Sequence, residues 1–183
     1  IAGTQTVEST YDAATAGTST ENNQDIVIVN TTFSSSIDSE TSGTSNVITG
    51  IHSSTTLSVD NSSSSETSSN QTLSLTTTAS GRVESTTESS GNGVTGAFLD
   101  VVEFESTGSA HETTTNQTLT AVLDSESVGD GDSRTTGNRI TGDSEFESSG
   151  SSTVTTDQTD TNQTQTVVVA DEPMTESSRS GPS

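Results

Sequence analysis

Thr113–Asp124 reads TTTNQTLTAVLD, and its centre, Asn-Gln-Thr, is not unique in the chain. SSNQTLSL begins at Ser68 and DTNQTQTV at Asp160. The three Asn-Gln pairs start at Asn70, Asn116 and Asn162, spaced 46 and 46 residues apart. An earlier pair, Asn23-Gln24, precedes Asn70 by 47. A second motif keeps the same period: NVITG starts at Asn46, NGVTG at Asn92 and NRITG at Asn138. Two motifs holding one interval are the signature of a tandem array. After each Asn-Gln, every second residue tends to be apolar or Thr, as in Leu73 and Leu75 or Leu119 and Ala121. Alternation with period two predicts β-strands, and branched Thr and Val suit a pleated surface. AFLDVVEFES (Ala97–Ser106) alternates in the other half-repeat. No stretch predicts a helix.

The two motifs divide each repeat into halves of about 23 residues, too short for a domain and suited to one coil of a solenoid or one long hairpin. The expectation is therefore an all-β chain of ~46-residue repeats. It forms either a β-solenoid-like stack or stacked small β-sandwiches. The repeats run over 1–45, 46–91, 92–137 and 138–183. Ile1-Ala2-Gly3 matches Ile48-Thr49-Gly50, so the first repeat lacks the two opening residues of its period. The array is expected to continue beyond the chain, or copies to join end to end. Asn46, Asn92, Asn138, Asn23, Asn70, Asn116 and Asn162 are read as turn residues, because Asn tolerates left-handed backbone and bonds its own main chain. Stacked copies would let them form an Asn ladder. Gly50, Gly96 and Gly142 are assigned to tight turns.

Composition explains why such rungs are needed. Only 23% of the 183 residues are apolar and 3% aromatic, whereas 74 are Ser or Thr. An average domain is nearer half apolar, so hydrogen bonding, stacked side chains, neighbouring copies, ions or glycans must supplement a core. Against 26 acidic residues stand four Arg and no Lys, for a net charge of −22. That charge repels nucleic acid and anionic lipid, and the lack of Lys excludes Lys–Asn isopeptide crosslinks. There is no Cys, hence no disulfide or thiolate zinc site. No apolar run is long enough to span a membrane as a helix.

Motifs that resemble chemistry give way to plainer readings. GNGVTG (Gly91–Gly96) fits the dinucleotide fingerprint, but its sister copies TSNVITG and TGNRITG do not, and the context lacks a following helix. VGDGDS (Val128–Ser133) sets Asp130 and Asp132 around a glycine, a weak Ca²⁺ candidate favoured instead as a solvated acidic turn. Glu103 and Glu105 share a strand face and are read as surface acids rather than a hydrolase pair. His52 and His111 fall at non-equivalent repeat positions, and no nucleophile elbow occurs, so no catalytic residue and no cofactor are assigned. Asn30 and Asn61 lie in N-x-S/T sequons and are candidate glycan acceptors.

The succession of N-x-I-T-G, NQTL and T-x-T resembles the Ser/Thr-rich tandem tracts of large bacterial surface and Rhs-type secreted proteins. That resemblance implies an extracellular, cell-surface structural role without enzymatic activity. The expected function is a subunit or segment of a bacterial filament or stalk, self-associating into a homopolymer by end-to-end pairing of β-repeats. Two other functions compete with it. High polarity and charge also suit a disordered or glycosylated spacer, and Thr rows suit a binding or adhesion module, although LSLTTT, LTAVLD and QTVVVA do not keep Thr at equivalent places.

Overall fold

A computed structural model describes residues 3–21, 28–70, 72–162, 165–170 and 174–180. The fold is all-β. Strand β1 spans Thr4–Glu21, β2 Ile28–Asn46, β3 Ile51–Asn70, β4 Leu73–Asn92, β5 Ala97–Asn116, β6 Leu119–Asn138 and β7 Asp143–Asn162. Two shorter strands follow, β8 (Gln165–Ala170) and β9 (Met174–Ser180). All nine belong to one sheet in sequence order, with β8 and β9 both antiparallel to β7. From β3 to β7 each 23-residue half-repeat thus adds one strand, so that two half-repeats add one hairpin to a growing sheet, while the last half-repeat is divided between β8 and β9. The stack is solenoid-like in advancing by a constant unit, but its layers run antiparallel because the connections are tight turns.

Register continues without a bulge from β1 to β7, so the faces can be followed across the sheet. One face carries sixteen of the acidic side chains of β1–β7 and the other only six. We call the first the acidic face. The second carries all four Phe, Tyr11 and every glycine that lies within a strand. We call it the glycine face. Three of its Phe rings and His52 stand opposite glycines. Gly17 is opposite Phe33, Gly91 opposite His52, Gly131 opposite Phe104 and Gly137 opposite Phe98. A Cβ built on Gly17 would sit 2.6 Å from Phe33 Cε1, and one on Gly131 2.5 Å from Phe104 Cε1. The ring therefore lies over bare backbone, shielding a residue that by itself weakens a strand.

Among the described residues no apolar side chain is buried. Cohesion comes from the ladders and from hydroxyl rungs between opposite residues. Ser34 and Ser63 Oγ are 2.7 Å apart, Ser80 and Ser109 2.8 Å, and Thr41 and Thr56 Oγ1 3.0 Å. Such pairs each contribute about 0.2–1 kcal/mol. A chain with so little grease consequently holds its shape through many small, repeated terms.

Candidate functional site

The repeat motifs assemble at the two ends of the strands. Asn46, Asn92 and Asn138 close β2, β4 and β6 at one edge, and each starts the same five-residue turn. The Asn carbonyl accepts the N–H of Gly50, Gly96 or Gly142 at 2.8 Å. Its side-chain Oδ1 accepts two further N–H groups within the turn. For Asn92 these are Val94 at 2.8 Å and Thr95 at 3.1 Å; for Asn138, Ile140 at 2.8 Å and Thr141 at 3.2 Å; for Asn46, Ile48 at 3.0 Å and Thr49 at 3.1 Å. This is helix-cap chemistry confined to one turn: Asn satisfies the free N–H groups, and a left-handed glycine ends the turn. The φ values of Gly50, Gly96 and Gly142 are 72, 79 and 84°.

The turns also bind one another. Gly3 O accepts from Val47 N at 3.0 Å, Gly50 O from Gly93 N at 2.8 Å and Gly96 O from Arg139 N at 2.9 Å. Each glycine is covered by the branched residue of the following turn. A Cβ on Gly3 would meet Ile48 Cγ1 at 2.9 Å, on Gly50 Val94 Cγ2 at 2.8 Å and on Gly96 Ile140 Cγ1 at 2.7 Å. Among the described residues a Cβ on Gly142 would meet nothing within 4 Å. The motif N-x-[I/V]-T-G is therefore a cap, a cover for the preceding turn and a glycine to be covered by the next. Among Asn46, Asn92 and Asn138 the expected Asn–Asn ladder does not form. Equivalent asparagines are two strands apart, about 9.6 Å, so Oδ1 serves its own turn and Asn138 Nδ2 donates to Thr95 O at 2.9 Å. Replacing Asn92 by Ala should cost about 1 kcal/mol, read as a lower urea midpoint, whereas Asp, which keeps the acceptor, should restore most of it.

The opposite edge is built from the Asn-Gln-Thr kernels. Asn70 pairs with Leu73, Asn116 with Leu119 and Asn162 with Gln165. Gln117 has φ 44°, as a two-residue hairpin loop requires at its first position. Asn23 lies outside the described residues. Gly91–Gly96 leads from β4 through a turn into β5, with no helix behind it.

The side chains singled out for binding are scattered on the acidic face. Asp130 and Asp132 sit in the middle of β6 and not in a turn. Ser151 Oγ donates to Asp130 at 2.5 Å, and Ser149 Oγ donates to Asp132. Gly131 between them is used by the strand because the Phe104 ring covers it. Among the described residues no three His, Cys, Asp or Glu gather as a metal-ion group. Asn30 is exposed on β2, its Oδ1 accepting from Thr20 Oγ1 at 3.0 Å, and Asn61 is half-buried on β3.

One polar relay escaped the sequence reading. His111 Nδ1 lies 2.5 Å from Asp124 Oδ1, and Thr113 Oγ1 lies 3.0 Å from His111 Nε2. It borders an open trough of about 540 Å³ that crosses β2–β6. The connectivity is that of a nucleophile, base and orienting acid, while strand pairing occupies the neighbouring backbone N–H groups that could otherwise serve an oxyanion. The His111–Asp124 contact joins β5 to β6 across the strands. The signal was available: once Asn116–Leu119 is read as a two-residue hairpin, His111 falls opposite Asp124.

Compared with protein-family models, curated proteins and solved structures, the chain matches none.

Proposed function

We propose that this chain is a structural segment of an extracellular bacterial filament or stalk, extended by strand addition at the ends of its sheet. The observation that carries the reading is the repeated hairpin with open flanks. Among the described residues β1 pairs on one side only, with β2, and β8 and β9 only with β7. An unpaired strand edge is a template for another chain. Gly142 supports the same reading, since its turn has the geometry that the next turn covers at Gly50 and Gly96. Ser/Thr-rich, strongly acidic composition favours solubility in an exposed polymer over a catalytic or nucleic-acid role.

The repeat fixes which residues must meet. Thr32 faces Ser65, Thr78 faces His111 and Asp124 faces Asp157. Advancing that series by one period places Ala170 of one copy opposite Thr18 of the next. The chain has no natural Cys, so a Thr18→Cys, Ala170→Cys variant carries only the two test thiols. Mild oxidation should give a ladder of covalent oligomers, and Thr18→Cys with Val169→Cys, which points the thiols to opposite faces, should give far less. Only dispersed monomers by electron microscopy, with no ladder from either variant, would reject the reading.

A further inference from the structure

We propose that the glycine face is covered by the glycine face of a second copy, giving a two-sheet layer with both acidic faces outward. The observation is the partition of side chains. Thirteen of the exposed large apolar residues lie on the glycine face, including Phe33, Phe104, Phe146 and Tyr11, against four on the acidic face. A sheet solvated on both sides has no reason to sort its residues in this way; a half-buried sheet does.

Three considerations select a second copy as the occupant. Area is the first. Seven strands of about 20 residues, at roughly 3.3 Å per residue and 4.8 Å per strand, present about 2,200 Å² per face, well above the roughly 800 Å² per partner of a stable complex. Charge is the second. Each copy carries −22, and with sixteen of the strand acids on the other face, the glycine face is the direction in which two copies approach with least repulsion. Relief is the third. Gly81 and Gly108 lie next to each other on neighbouring strands, as do Gly131 and Gly150, leaving flat areas beside the standing rings. Flat rows let two backbones approach closely, as in dry sheet-to-sheet interfaces.

This pairing is independent of growth at the strand edges, and sheet thickness separates the two. Solution X-ray scattering should give a cross-section two sheets thick, with about 10 Å between them, while edge growth lengthens the particle without thickening it. Ser85→Glu places a charge at the centre of the glycine face and should weaken the thickened species at least tenfold in sedimentation equilibrium. Thr107→Glu, on the acidic face beside Arg82, should change it less than twofold. A single-sheet thickness at every concentration overturns the proposal, as does equal behaviour of the two variants. Attachment to uncharged phosphatidylcholine vesicles in place of self-association also overturns it. The wild-type thickness needs no variant, so a misfolded Ser85→Glu chain leaves the test intact.

Discussion

Gly96→Ala should lower stability by about 2–5 kcal/mol, while Gly142→Ala lowers it by only about 1–2 kcal/mol. The two glycines share a motif and a backbone conformation, with φ values of 79 and 84°. Left-handed backbone costs any residue with a Cβ roughly 1–2 kcal/mol, and that cost is common to both. What differs is the space. At Gly96 the added carbon would lie 2.5 Å from Asn138 Oδ1, 2.7 Å from Ile140 Cγ1 and 3.0 Å from Ile140 N. The backbone nitrogen cannot rotate away, and Asn138 Oδ1 is already accepting from Ile140 and Thr141. Relief therefore requires moving the whole following turn, which would stretch the bond from Arg139 N to Gly96 O. Overpacking of this kind adds roughly 1–3 kcal/mol. Paired urea melts decide the matter. Equal losses would mean that turns fold independently, and that the cover provided by Ile48, Val94 and Ile140 is incidental.

That contrast marks how far the sequence can be read. The period, the strands and the placing of Gly50, Gly96 and Gly142 in turns were legible because backbone conformation is a local property. Pairing direction was not, since a half-repeat of one strand and one turn has the same length as a coil. The second role of the branched residue in N-x-[I/V]-T-G was hidden for a related reason: Val94 meets Gly50, 44 positions away, only after register is known. Asp130-Gly131-Asp132 reads locally as a turn, yet Phe104 on the neighbouring strand claims that glycine. The division into two faces was masked by Ser and Thr, which occur on both and blur the apolar alternation. Following register strand by strand brings it out. The acids then sort to one side, where sequence alone had only a net charge.

The same sorting makes salt the strongest solution variable. Five pairs of carboxylates stand directly opposite each other on the acidic face: Asp12 with Asp38, Glu84 with Glu105, Glu103 with Asp132, Glu105 with Asp130, and Asp124 with Asp157. Like charges in that relation oppose pairing by roughly 0.2–1 kcal/mol each, or about 1–5 kcal/mol together at low ionic strength. Some of the repulsion is locally answered: Arg82 pairs with Glu84, His111 with Asp124, and Ser151 donates to Asp130. Because these groups are exposed, mobile ions can screen the remainder. Raising ionic strength from about 0.01 M to 1 M shortens the Debye length from roughly 30 to 3 Å. The thermal midpoint should therefore rise across that range, the opposite of a fold held by surface ion pairs. Unfolded chains repel themselves as well, so the slope alone is not diagnostic. Glu105→Gln provides the decisive comparison. It removes two of the five opposed pairs, those with Glu84 and Asp130, for one charge lost. It should raise stability at low salt by more than Glu21→Gln, whose partner Val29 is uncharged, and it should flatten the salt dependence. An unchanged slope in Glu105→Gln would show that the cross-strand carboxylates do not act on one another, and the charge would then matter only as a property of the whole chain.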